Sequence, residues 1–297
     1  MTRRIIDLDI TVGARRAART AMRVLGEIER RPRSEGGEAS TALAELLQVA
    51  AWTLFDAGHH PRARLLHRQA LALSRRHTDR TSAESVELLI LSVMSMQEEH
   101  LGRPDQALHI SSSVLARADL PPCVRAIFHV REARAHARFH QRSPALRSLC
   151  QAEELLQDGP GARDPQWAWW FDRAELLGHQ GLTLASLGDL EDAAAFLHEA
   201  ALPGAGPAYR VLFATELARV LAQAGAWQET EASLIGLADS VPSIGSARAT
   251  GSLAIALQHL ERGQHVPRSL RDTARHITAL LEQTMETPCG PKALDVS

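Results

Sequence analysis

Apolar residues recur every three or four positions through most of the chain, the period of a helix with one buried face. Leu43, Leu46, Leu47, Ala50, Ala51 and Leu54 predict one amphipathic helix. Ala63, Leu66, Ala70 and Leu73 predict a second, directly after Gly58. The stretch Gly181 to Ala200, GLTLASLGDLEDAAAFLHEA, repeats the arrangement: the end of one helix, a turn at Gly188, the start of the next. No run of alternating β-branched residues marks a strand. The expectation is an all-α chain of helix pairs.

The pairs obey a fixed spacing. Turn positions fall at Gly58, Gly102, His140, Gly188, Gly225 and Gly263. Seven residues earlier stand Ala51, Ser95, Ala133, Gly181, Ala218 and Ala256, all small. Five residues later come Ala63, Ala107, Ala145, Ala193, Thr230 and Arg268, and twelve later Ala70, Val114, Ala152, Ala200, Leu237 and Arg275. Small side chains at these offsets let two antiparallel helices approach closely, the spacing of a tetratricopeptide (TPR) repeat. Successive turns lie 44, 38, 48, 37 and 38 residues apart. That exceeds the roughly 34 residues of the standard repeat, so longer helices or connectors are expected. The sixth unit has Arg268 and Arg275 where small residues belong and reads as a terminal cap. His140 in place of Gly leaves the third turn's register open by one residue.

The predicted architecture is a TPR-like α-solenoid of about six antiparallel helix pairs plus an N-terminal helix. Residues 1–40 form a basic helix and a connector, Pro32 to Ser40, with two glycines. Residues 41–285 form the repeat domain, and 286–297 a disordered tail. Asp158 to Pro165 is a loop, followed by Trp167, Trp169, Trp170 and Phe171 at a helix start. Those rings form either a packed corner or part of a ligand site, since Trp is a favoured anchor in recognition surfaces.

Charge narrows the partners. The formal net charge is −2 and the pI about 6.7, giving no electrostatic reason to expect nucleic acid. The arginine-rich face of residues 1–32 reads as solvated, and the stretch is too short for a helix-turn-helix domain. Cys123, Cys150 and Cys289 have no CxxC spacing and read as thiols in a reducing cytosol. No segment reaches the ~18 apolar residues of a membrane span, and no signal peptide is visible. A cytoplasmic protein without membrane contact is expected.

AWTLFDAGHHPRARLLHRQALALSR, EARAHARFH and WWFDRAELLGHQGLTLASLGDLEDAAAFLHEAL carry a more specific likeness. From about Leu46 to Leu237 the chain resembles the TPR region of actinobacterial helix-turn-helix transcriptional regulators of the XRE type. Such proteins place a DNA-binding domain ahead of the repeats and use the superhelix for dimerisation and ligand sensing. That domain is missing here, so the resemblance implies a stand-alone sensor or adaptor near a specialised-metabolite pathway.

Leading helices of stacked pairs line the concave side. Counting back from each turn places Gln48, Trp52, Phe55, Asp56, Ser92, Met96, Glu99, Arg134, Arg138 and Arg219 on that side as candidate ligand-binding residues. The arginines suit a carboxylate, as of a peptide C-terminus, and Trp52, Phe55 and Met96 offer apolar contact beside them. A protein or peptide partner in this groove is the leading expectation, with a small-molecule ligand as the alternative. A homodimer through the ends of the stack is compatible with either.

His129, Glu132, His136, Glu175 and His179 have i, i+3 and i, i+4 spacings on two successive leading helices. Such convergence builds metal centres in some helical bundles, but a buried polar network satisfied internally is the commoner outcome and the one expected here. No phosphate-binding glycine loop and no GxSxG is present. Neither a cofactor nor a catalytic residue is expected, and the pattern leans against an enzyme; a metal-dependent enzyme or accessory protein on a helical scaffold, using this cluster, is the second alternative.

Overall fold

Strong helix formers and the 3.6-residue apolar period produce helices throughout. The computed structural model describes residues 2–30, 37–75, 80–157, 159, 161–202 and 210–286. Among these, the chain is all-helical and has no strand. The first eight helices are α1 (Thr2–Val12), α2 (Ala14–Glu29), α3 (Gly37–Asp56), α4 (His60–Ser74), α5 (Arg80–His100), α6 (Pro104–Leu115), α7 (Pro122–Arg138) and α8 (Arg142–Leu156). Then follow α9 (Arg173–Leu187), α10 (Leu190–Ala201), α11 (Arg210–Ala224), α12 (Trp227–Leu237), α13 (Ala247–Arg262) and α14 (Arg268–Glu286). The expected tail falls almost wholly outside the described residues, as does most of the expected connector at 32–40.

Each odd-numbered helix pairs with the even one that follows, and the odd helices pack on one another in order from α1 to α13. Burial follows from this layering. The inner helix α9 buries every residue from Glu175 to Leu184, whereas its outer partner α10 buries a single stripe, Ala193, Leu197 and Ala200. An inner helix has neighbours on several sides; an outer helix needs one apolar face.

Five hairpin turns share one geometry. Gly58, Gly102, Gly188 and Gly225 have φ of 87°, 73°, 90° and 73°, and His140 takes the same left-handed region at 55°. In each, the following N–H reaches back across the turn, as from His59 to Leu54 O (2.8 Å) and from Gln141 to His136 O (2.9 Å). This is the Schellman closure of a helix C-terminus. The register at His140 is thus that of the other turns. Gly263 differs: its φ is −68°, and the chain runs on to Arg268 before α14 begins. The Val266 side chain packs where a Gly263 Cβ would stand, 2.7 Å from it.

The small positions lie where the spacing predicts. Ala51, Ser95, Ala133, Ala218 and Ala256 have no exposed surface. Ser95 Oγ donates to Ala107 O at 3.0 Å, joining the two offsets directly. In the sixth pair Arg268 and Arg275 are exposed, so the contact there is relaxed.

Two features depart from the sequence reading. The N-terminal segment is two helices rather than one, broken at Gly13 (φ 82°), so α1 and α2 add a hairpin ahead of the six. The aromatic run is a separate 3-10 turn, Gln166–Trp170, and α9 starts only after Asp172 caps it by accepting from Glu175 N (2.9 Å).

The series of inner helices closes on itself. Arg15 N donates to Gly245 O (3.3 Å), and the two backbones touch where Gly13 faces Gly245. Asp56, at the end of α3, accepts from Ser246 Oγ (2.9 Å) and pairs with Arg248 Nε (2.6 Å). First and last hairpins meet along this seam.

Between the second and third hairpins a buried histidine acts as a bridge. His67 on α4 is fully buried, with Nδ1 3.2 Å from Gln97 Oε1 on α5. Burial lowers its pKa to about 4. The unfolded chain therefore takes up this proton first as pH falls, so the stability from neutral His67 is full above pH 6.5 and lost towards pH 4. His67→Gln should lose about 2 kcal/mol less than the wild type between pH 7 and pH 5 in urea unfolding. Equal losses would show that His67 is not the titrating group.

Candidate functional site

The closed circuit surrounds a cavity of about 650 Å³, lined by residues from every inner helix. Its composition is mixed: an aromatic and aliphatic wall, a charged seam, and a buried polar floor.

Trp52, Met96, Leu182 and Phe213 belong to the wall, together with Trp167, Trp169 and Trp170 from the 3-10 turn. Trp167 Nε1 donates to Ser85 Oγ (3.0 Å), which ties the turn to α5. Trp170 meets the buried ring of Phe171 edge-on at 5.6 Å. Trp169 is 57% exposed, so the wall reaches solvent there. The aromatic run is therefore a packed corner at Phe171 and a cavity wall at the tryptophans.

At the seam, Arg248 lies over Trp52 (5.1 Å to the ring centre) and Phe55 (5.3 Å) while paired with Asp56. Trp52 Nε1 donates to Asp9 Oδ2 at 2.9 Å, bringing α1 into the same cluster. Burial, then the charge of Asp56, pushes the Asp9 carboxyl up to about 6, while the Trp52 N–H and Arg248 pull it back. His100 packs edge-on against Phe55 at 5.5 Å, and the nearby cations lower its pKa.

The floor is Arg131 and Arg134 from α7 with Glu175 and His179 from α9. Arg131 Nε donates to Ser92 O (3.2 Å), and its Nη1 stands 3.1 Å from His179 Nε2. Glu175 Oε1 lies 3.2 Å from the same nitrogen. A guanidinium only donates, so Nε2 must accept and the ring proton sits on Nδ1. Burial raises the Glu175 pKa to about 8, against the pull of Arg131. Burial and three arginines hold His179 neutral.

Of the groove residues expected from sequence, Gln48, Trp52, Met96, Glu99 and Arg134 line this cavity. Phe55, Asp56 and Ser92 lie behind it, engaged with Arg248 and Arg131. Arg138 is half-exposed, 3.6 Å from Glu99, and Arg219 is held by Glu216 and Gln223 on its own helix. Asp9 and Arg248 had no signal in the spacing, because each enters through the packing of helices distant in the chain, and Arg131, one turn before Arg134 on α7, lies outside the four counted positions.

The candidate metal ligands occupy separate places. His129 pairs with Glu132 at 3.7 Å, and Glu132 also accepts from Ser112 and Ser148. His136 bonds Gln141 (2.7 Å), while Glu175 and His179 belong to the cavity floor. Among the described residues no group of three or more His, Cys, Asp or Glu is placed to hold a metal ion. Cys123 is a buried free thiol and Cys150 an exposed one. No described helix is long and apolar enough to cross a membrane. Compared with known proteins, the chain matches no protein-family model and no curated sequence.

Proposed function

We propose that the protein is a small-molecule-sensing regulator of the tetratricopeptide-repeat type, with its ligand held in the central cavity. The observation that carries this reading is the contact of Gly13 with Gly245, which turns an open trough into a bounded space of about 650 Å³. That volume lies within the roughly 300–1,000 Å³ of small-molecule sites. The five matching turns and the buried small positions support the repeat assignment. A peptide threaded along the groove has less support, because Phe55 and Asp56 are already engaged at the seam.

A ligand touching α1, α3 and α13 together binds the closed circuit better than an opened one, and so shifts the population towards it. A partner that reads the outer face of the seam would then receive the signal. The test is mass spectrometry of small molecules released by denaturing the protein purified from its native cytosol. A compound released by the wild type and missing from Met96→Trp, whose larger side chain intrudes on the cavity, is expected. Identical release profiles from the two proteins would sink the proposal.

A further inference from the structure

We infer that the ligand is a flat apolar acid, its carboxylate held by Arg134 and His179 and its ring system against Phe213, Trp170 and Met96. The inference rests on the cavity being the ligand site and adds the chemistry of what enters it.

Two buried donors on the cavity lining lack partners. Arg134 uses only Nη2 towards Glu99, at 3.2 and 3.3 Å, and its buried Nη1 bonds nothing. His179 Nδ1 is likewise buried and unbonded, on a side chain only 7% exposed. As argued above, that nitrogen carries the ring proton. An unsatisfied buried donor is costly, and these two require the same complement, an acceptor oxygen.

The local charge favours an anionic acceptor over a neutral one. Glu99 is shared by Arg134 and Arg138, so one carboxylate faces two guanidiniums. Arg131 has Glu175 beside it, and burial keeps that acid protonated near neutral pH. The charges of Arg131, Arg134 and Arg248 all act on His179, which places the donors in a positive field. A carboxylate suits donors of this kind and offsets that field. The body of the ligand follows from the wall: the Phe213 ring lies 6.3 Å from His179, and Arg131 lies 6.0 Å over the Trp170 ring. A planar hydrocarbon surface suits such neighbours better than a flexible chain.

The test compares 2-naphthoate with 2-naphthamide by isothermal titration calorimetry on the full chain. They share a ring system and differ in the charge of the head group. The wild type should bind the acid at least about tenfold more tightly than the amide, the worth of one charge-assisted hydrogen bond. Arg134→Met should abolish the preference by weakening the acid alone. Glu99→Gln combined with Arg134→Met, which removes both charges of the pair, should do the same. His179→Phe should reduce the preference while the amide still binds. Equal affinity of the wild type for both compounds overturns the carboxylate while leaving the cavity reading intact, and so does a preference that survives in Arg134→Met. Binding of neither compound overturns the cavity reading and this inference together.

Discussion

Gly181→Ala is expected to destabilise the protein by about 2–3 kcal/mol, and Gly181→Leu by more, as in other overpacked cores. A Cβ at this position would stand 2.6 Å from Leu197 Cγ and 2.9 Å from the Ala193 carbonyl oxygen. Leu197 is fully buried and cannot swing into solvent, and the carbonyl belongs to the backbone of α10. Relief requires α9 and α10 to separate, which disturbs the helix carrying Glu175 and His179. Gly188 offers an internal control seven residues along. It has φ 90° and nothing within 4 Å of a would-be Cβ, so Gly188→Ala meets only backbone strain, about 1 kcal/mol. Urea unfolding of the two alanine variants separates packing from strain. A larger loss at Gly188 than at Gly181 would contradict the close approach of these helices.

Gly245→Val should open the circuit. A Cβ here would lie 2.5 Å from Gly13 Cα, 2.7 Å from Gly13 C and 2.8 Å from Ala14 N. All three are backbone atoms, so no rotamer change makes room. The first hairpin must move off the N-terminal end of α13, taking Asp9 away from Trp52 and exposing the Asp56–Arg248 pair. That pair is now about nine-tenths buried, with side chains 11% and 10% exposed. Loss of such a contact costs about 3 kcal/mol or more when one partner is left buried alone, and less if both gain water. The expected readings are a larger radius of gyration by small-angle scattering, a red shift of tryptophan emission as Trp52 is wetted, and loss of small-molecule retention. Helix content should hold, because every hairpin keeps its own turn. An unchanged radius and unchanged emission would mean that the seam does not hold the ends together.

The hairpins were legible in the sequence because their cause is local. A glycine at Gly58, Gly102, Gly188 or Gly225 that can take positive φ, and small residues seven before and five after, act within one pair of helices. His140 shows the margin, since a non-glycine residue adopts the same turn and keeps the register. The cavity was half legible. Gln48, Trp52, Met96, Glu99 and Arg134 follow from which face of a leading helix turns inward, whereas Arg219, placed by the same rule, bonds along its own helix and is not part of the cavity lining.

Tertiary structure alone decided the closure. Where α13 arrives depends on how every preceding hairpin packs on the one before it. No short-range pattern encodes that packing, so the meeting of Gly13 with Gly245, and of Asp9, Trp52, Asp56 and Arg248 across the seam, could not be read from spacing. Helix pairing is a property of neighbours in the chain; the cavity is a property of how the whole series packs.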